Sequence, residues 1–332
     1  MRILVTGGAG FMGSNFIRYI LEKYEDYEVV NLDKLTYAGN PENLRDVEQN
    51  PRYGFMRGDI ADAKCVGDVA RGVDAIINYA AETHVDRSIM EARDFAVTDV
   101  IGTLTLLEAV EKYKIPRMVQ ISTDEVFGSI EKGEFTEESP FLPNSPYSAS
   151  KAGGDMLCRA FIRTYGTPVI VTHSVNFYGP NQYPEKVIPL FVTNLLEGKK
   201  VPLYGKGLNQ REWIYTEDHC RAVDLILHKG ALGEVYNIGT GEGITNIELT
   251  RLILHELGKD ERSIEYVKDR PGHDLRYSIN SDRLRHLGWK PKTTFERGIT
   301  KTIQWYKDNP AWWKRLKSKK FQEYYTRQYI ER

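Results

Sequence analysis

Cysteine is scarce: Cys65, Cys158 and Cys220 are the three in 332 residues, scattered and without metal-ligand spacing. That argues against a disulfide framework or a zinc site, and the thiols read as core residues of a reducing compartment. Excess charge of either sign is also missing, since 45 Lys and Arg face 46 Asp and Glu for a formal net charge of −1. Neither a nucleic-acid footprint nor a membrane-surface patch is expected, and any anion site must be built locally. No run approaches the ~20 apolar residues that span a bilayer. A first strand begins almost at Met1 with no cationic segment before it, so no secretory leader is expected and the cytoplasm is the default location. Internal repeats and low-complexity tracts are absent as well.

What is present is an alternation. Apolar runs at 3–6, 28–33, 53–57, 75–79, 118–122 and 169–174 read as strands, with helix-like segments at 14–23, 64–71, 101–113 and 148–165 between them. This is the pattern of parallel βαβ units, and it predicts an α/β fold with a doubly wound parallel sheet over 1–178. Beyond Gly179 the alternation loosens, predicting a smaller α+β lobe over 179–332 with helices at 187–197, 217–228 and 246–257 and strands at 201–204 and 235–238. The boundary is soft, because 217–238 is able to return to the large sheet. The tail after Trp305, rich in Trp, Lys and Tyr, reads as helical and solvated, with no chemistry.

After the first strand comes Gly7-Gly8-Ala9-Gly10-Phe11-Met12-Gly13. Glycines there permit a tight turn, close approach to a pyrophosphate and close helix packing, and the helix N-terminus supplies N–H donors. The pattern alone is weak, but a strand precedes it, a helix follows, and Asp33 ends the next strand 20 residues after Gly13. An acid at that position accepts ribose hydroxyls and repels a 2′-phosphate, which favours NAD over NADP, although Lys34 beside it weakens the inference. Asp59 is placed to reach the adenine edge, and Ala80 and Ala81 are small enough for close cofactor approach, though simple turn packing explains the alanines nearly as well.

Tyr147 and Lys151 stand four residues apart at the start of an amphipathic helix, hence on one face. A neighbouring ammonium favours a phenolate, so the pair is expected to lower the Tyr147 pKa and let it take an alcohol proton as hydride leaves. Ser122-Thr123-Asp124-Glu125 lies at the C-terminal end of a strand, where open α/β sheets bind ligands. Thr123 is placed to bond the same substrate oxygen as Tyr147. Two consecutive acids can serve as general acid and general base if their environments separate their pKa values.

Gly7 to Gly13, Leu35-Thr36-Tyr37-Ala38-Gly39-Asn40, Ala81-Glu82-Thr83-His84-Val85-Asp86-Arg87-Ser88, Ser122-Thr123-Asp124-Glu125-Val126-Phe127-Gly128 and Ser145-Pro146-Tyr147-Ser148-Ala149-Ser150-Lys151 resemble the dTDP-glucose 4,6-dehydratases of the extended short-chain dehydrogenase/reductase superfamily. In the second half, Tyr178-Gly179-Pro180, Pro184-Glu185-Lys186-Val187-Ile188-Pro189, Arg211-Glu212-Trp213, Glu217-Asp218-His219 and Arg270-Pro271-Gly272-His273-Asp274 continue the likeness to about residue 300. The resemblance implies that Tyr147, with Lys151 and Thr123, drives oxidation at C4 of the glucosyl group. Glu125 then removes the C5 proton, Asp124 protonates the departing C6 hydroxyl, and hydride returns to C6, so that tightly bound NAD is restored each cycle. It implies a cofactor set of Gly7, Gly10, Phe11, Met12, Gly13, Asp33, Lys34, Thr36, Asp59, Ile60, Ala80, Ala81, Thr83, Tyr147 and Lys151. The implied substrate contacts are His84, Thr123, Asn176, Lys186, Tyr204, Arg211, Asn246, Arg270 and His273. Against the family, Met12 replaces Ile, Phe127 replaces Tyr, and His173-Ser174-Val175-Asn176-Phe177 stands where Arg-Cys-Ser-Asn-Asn is usual.

A nucleotide-sugar 4-epimerase shares the glycine turn and the Tyr/Lys pair but has no use for an elimination acid and base. A non-catalytic NAD-binding regulator need not keep Thr123, Asp124, Glu125, Tyr147 and Lys151 together. Dehydration of dTDP-glucose to dTDP-4-keto-6-deoxyglucose is therefore the expected activity, without a metal. A homodimer is expected from the resemblance, through Ile101, Leu104 and Leu107 and the neighbouring helix.

Overall fold

The computed structural model describes residues 1–270 and 272–331; Pro271, within the motif that begins at Arg270, and Arg332 lie outside the described residues. In chain order its strands are β1 (Arg2–Thr6), β2 (Glu28–Asp33), β3 (Tyr53–Arg57), β4 (Ala75–Asn78), β5 (Met118–Thr123) and β6 (Val169–Ser174), then β7 (Asn176–Tyr178), β8 (Val201–Tyr204), β9 (Gln210–Tyr215), β10 (Val235–Ile238), β11 (Gly243–Thr245) and β12 (Ile264–Val267). Seven of them form one parallel sheet in the order β10-β6-β5-β4-β1-β2-β3. All six strands expected from the first half are in it. The seventh, β10, pairs Val235 with Val171, so the segment after β9 does return to the large sheet.

Strands β5 and β6 are buried at every position, as strands covered on both faces must be. Side chains alternate between faces: Ile3 and Val5 join Phe16, Ile17, Ile20 and Ile226 on one, while Leu4 joins Ile76, Leu106, Leu107 and Cys158 on the other. Strand order reverses at β1, between β2 and β4, and in such sheets that crevice receives the ligand.

A second core gathers Tyr178, Phe191, Trp213, Ile299, Tyr306, Trp312, Trp313 and Phe321. Three helices after residue 294 supply much of it: Phe295–Asp308, Pro310–Leu316 and Lys319–Tyr329. The tail is thus helical as expected but not solvated. Its aromatic residues fall on one face of each helix, and the Lys and Arg residues that make it read as polar lie on the other. Leu107, expected on a dimer face, is fully buried under the sheet, and of that trio Ile101 alone is well exposed, at 47%. Among the described residues no helix is long and apolar enough to cross a membrane.

Candidate active site

The turn after β1 is too tight for any residue but glycine at two places. Gly7 has a φ of +67°, and a Cβ there would lie 2.6 Å from the Ala80 nitrogen; a Cβ on Gly13 would lie 2.4 Å from the Gly7 oxygen. Gly10 precedes the helix Phe11–Lys23 without a side-chain cap, and Phe11, Met12 and Gly13, whose N–H groups open that helix, line the adjoining cavity. Such a geometry suits a pyrophosphate. Asp33, 7% exposed at the end of β2, is held by the Ala9 N–H at 2.9 Å and the Leu35 N–H at 2.7 Å. Burial pushes its pKa up, against those two backbone donors. Lys34 is engaged by Asp59, with Nζ 2.8 Å from the carboxylate, and so does not offset Asp33. Every residue of the expected cofactor set lines this one cavity.

Tyr147 and Lys151 line the same cavity. The helix Pro146–Tyr165 opens with a reciprocal cap, in which Ser145 Oγ accepts from Ser148 N at 3.1 Å and Ser148 Oγ accepts from Ser145 N at 3.0 Å. This fixes the first turn, and with it Tyr147 and Lys151 below β5. Lys151 Nζ donates to the Ile121 carbonyl at 2.8 Å. Tyr147 does not have the lowered pKa expected from its lysine: burial, then the carboxylates of Glu125 and Asp99, hold the phenol well above its usual range, with a Thr123 hydrogen bond pulling the other way. The spacing of the pair was readable from the sequence, whereas the acids around it come from other elements.

Thr123 ends β5 and caps a short 3₁₀ turn, Asp124–Phe127, accepting from Glu125 N at 3.3 Å. The two acids of that turn differ. Asp124 is 2% exposed and its Oδ2 has no partner among the described residues; burial, then Glu125 and Glu212, push its pKa well above the carboxylate range. Glu125 is also raised by burial, but Arg270, Arg211 and Lys186 oppose the shift. Environment therefore separates the two acids, holding Asp124 further toward its neutral form and leaving Glu125 the more readily ionised.

Glu125, Asn176 and Lys186 also line a second cavity. Its walls include His84, Tyr204, Arg211, Asn246, Arg270 and His273, so the expected substrate residues come together there, with Thr123 on the cofactor side. Arg270 Nη1 donates to Asp86 at 2.8 Å, and its buried Nε has no partner among the described residues. Arg211 lies 4.1 Å over the Tyr277 ring and donates to the carbonyls of Gln210 and Asp274, at 2.7 and 2.8 Å. Burial lowers His84 and His273 to about 4 and also pulls Lys186 down, while Lys186, Arg211 and Arg270 are the Lys and Arg side chains of the cleft. Three cations converging on one cleft suit a diphosphate.

Glu82, raised by burial to about 7, and Trp213 line the first cavity, and Asp86, Glu185 and Tyr329 line the second without having been assigned a role from sequence. Glu82, Asp86, Glu185 and Trp213 sit inside motifs quoted above, so the signal was their neighbours; Tyr329 had none. The unusual segment 173–177 divides in two. His173 is buried between Phe127 and Phe141, its ring centroid 4.8 and 5.5 Å from theirs, whereas Val175, Asn176 and Phe177 face the cofactor cavity. Phe127 packs in an aromatic cluster with Phe135 and Phe141, at ring-centroid distances of 5.3 and 5.6 Å.

Residues 4–302 match the profile of the family described as GDP-mannose 4,6 dehydratase. The dTDP-glucose 4,6-dehydratase of Streptomyces niveus is 51% identical over 96% of this chain and 96% of its own. The structure of DesIV, a dTDP-glucose 4,6-dehydratase from Streptomyces venezuelae with NAD bound, superposes with a TM-score of 0.93 at 52% identity, covering 95% of this chain and 100% of that one. A UDP-glucose 4-epimerase from Thermotoga maritima shares the fold at a TM-score of 0.87 and 32% identity, covering 93% of this chain and 100% of its own. The chain belongs to the GDP-mannose 4,6-dehydratase family and, within it, to the dTDP-glucose 4,6-dehydratases of the extended short-chain dehydrogenase/reductase fold.

Proposed function

We propose that this chain converts dTDP-glucose to dTDP-4-keto-6-deoxyglucose, with NAD held in the first cavity and the nucleotide in the second. One observation carries the reading: a protonated-side Asp124 and an ionisable Glu125 stand beside Thr123 and Tyr147 where the two cavities meet. A 4-epimerase needs the Tyr147/Lys151 pair but neither acid. Incubating the purified protein with dTDP-glucose and following the sugar by NMR tests it; a 4-keto-6-deoxy product is expected, and conversion to the 4-epimer alone would refute it.

The cradle of Gly7 and Gly13, together with Asp33, fits a dinucleotide with free ribose hydroxyls. NAD bound there supplies the hydride acceptor for C4, later the donor for C6, and a positive ring that favours the Tyr147 phenolate. Tyr147 takes the C4 hydroxyl proton while Thr123 orients that oxygen. The C4 ketone acidifies C5, and Glu125 removes the C5 proton. Asp124 protonates the C6 hydroxyl, which leaves as water, and a proton returned to C5 completes the 4-keto-6-deoxy product. Lys186, Arg211 and Arg270 hold the diphosphate throughout.

A cofactor that accepts and returns hydride within one cycle gains nothing by leaving, so the protein should purify with NAD attached. Extraction from denatured protein is expected to yield NAD, and recovery of NADP alone would contradict the assignment of Asp33. Arg270→Ala is expected to weaken dTDP binding by ~10- to 100-fold, since a charge-assisted contact contributes about 1.5–3 kcal/mol. Calorimetry checks this, and an unchanged Kd would remove Arg270 from the diphosphate site. We further propose a cytoplasmic homodimer, supported by the exposure of Ile101 and Met156 on neighbouring helices, at 47% and 50%.

A further inference from the structure

The segment that leaves β2 faces two ways. Lys34, Thr36, Ala38 and Gly39 line the first cavity, whereas the side chains of Tyr37 and Asn43 bond to residues far along the chain. Tyr37 Oη donates to one oxygen of Glu185 at 2.6 Å, and the Arg87 guanidinium, 4.0 Å over the same ring, pairs with the other oxygen at 2.9 Å. Glu185 is 3% exposed, so Tyr37 and Arg87 together satisfy a buried carboxylate. Asn43, also buried, is the second attachment. Its Oδ1 accepts from Trp312 Nε1 at 2.9 Å and its Nδ2 donates to the Ala9 carbonyl at 3.0 Å, so one carboxamide joins the glycine turn to the C-terminal tail. Beside it Glu42 pairs with Arg315 of the same tail helix. Residues 34–40 belong to no strand or helix, so their rigidity comes from attachment. At their start Leu35 has a φ of +57°, a left-handed conformation that a leucine keeps only where its surroundings hold it.

We propose that segment 34–44 is a clasp on the cofactor, held by Tyr37 through Glu185 and by Asn43 through Trp312. Tyr37, Asn43 and Trp312, none of which lines the first cavity, then set how slowly NAD leaves. The proposal rests on the reading that this cavity holds NAD. The glycine turn and Asp33 supply attraction, but slow departure also needs the wall made by Thr36, Ala38 and Gly39 to stay in place. Moving that wall breaks a hydrogen bond to a buried carboxylate and an indole N–H bond, and leaves buried polar atoms unpaired. These costs raise the barrier to release without adding a contact to the cofactor. Neither attachment includes Tyr147, Lys151, Asp124 or Glu125, so the clasp acts on retention and not on the chemical steps.

The test takes the full-length protein as purified with NAD, chases it with deuterium-labelled NAD, and measures the unlabelled NAD left on the protein by mass spectrometry after gel filtration. Tyr37→Phe keeps the ring under Arg87 and removes the bond to Glu185; release should become about 5- to 100-fold faster. Trp312→Phe should accelerate release by about 2- to 10-fold, the scale of a neutral hydrogen bond, and the double variant by about the product of the two. In each, kcat for dTDP-glucose with NAD in excess should stay within about 2-fold of wild type. Trp313→Phe is the control, because its indole donates at 2.8 Å to the Tyr306 carbonyl in the same core and does not reach the clasp. Its release rate should stay within about 2-fold of wild type. If Trp312→Phe does not fold, Asn43→Asp, of equal size but without the donor to Ala9, carries the same expectation. Unchanged release in Tyr37→Phe, or equal acceleration in Trp313→Phe and Trp312→Phe, would overturn the proposal. A wild-type protein that neither carries nor binds NAD would instead overturn the reading of the cavity on which it rests.

Discussion

Tyr147→Phe is expected to lower turnover of dTDP-glucose by ~10²- to 10⁴-fold, the scale on which a positioned proton acceptor contributes. The substitution removes one oxygen from a buried side chain and leaves the ring in place against Phe95, so packing should survive. Nucleotide affinity should be preserved, because Arg211 and Arg270 lie in the other cavity and Lys186, which the two cavities share, is untouched. Reduced cofactor should not accumulate, since C4 oxidation is the step lost. The raised phenol pKa of the chain alone makes a second expectation: turnover should depend on the cofactor's charge as well as on Lys151, so Lys151→Met should impair it even with NAD retained. Near-normal turnover of Tyr147→Phe, followed by product NMR, would remove Tyr147 from the mechanism.

Glu125→Gln should separate the steps that Tyr147→Phe abolishes together. Oxidation at C4 needs Tyr147, Lys151 and Thr123, whereas loss of the C5 proton needs a base, so reduced cofactor should build up on the protein while dehydrated product falls by ~10²- to 10⁴-fold. Neutralising Glu125 leaves Lys186, Arg211 and Arg270 without one of their counter-charges, so nucleotide affinity should hold or improve. Asp124→Asn tests the partner role. Asp124 is held toward its neutral form by burial, so the amide barely changes the local charge and should leave binding and stability largely intact while removing the proton donor to the C6 oxygen. Absorbance of the reduced cofactor, read beside product by mass spectrometry, distinguishes the two variants from wild type. Full dehydratase activity in either would dissociate that acid from elimination.

The parallel sheet was legible because its central strands, buried on both faces, read as continuous apolar runs, and β1 to β6 follow the expected runs closely, although β3 at the sheet edge is largely exposed. The glycine turn was legible because its constraint is steric and local, within seven residues. Spacing alone put Tyr147 and Lys151 on one helical face. What spacing does not carry is the environment assembled by other elements. The upward shift of Tyr147 is set by burial, Glu125 and Asp99, and the split between Asp124 and Glu125 depends on arginines at 211 and 270. The tail misled for a different reason. Lys and Arg between its aromatic residues lower its mean hydropathy, yet Trp312, Trp313 and Phe321 are buried because the aromatic positions share a face. Leu107 showed the reverse, an apolar residue expected at an interface that covers the sheet.

The central claim is that oxidation at C4, elimination across C5 and C6, and reduction at C6 occur in one site without exchange of the transferred hydrogen. Deuterium placed at C4 of dTDP-glucose tests it most directly, with the product examined by NMR and mass spectrometry. The label is expected at C6 of the same sugar molecule, with solvent hydrogen at C5. Label returned to C4 on an epimerised sugar, or lost to solvent, would contradict the account.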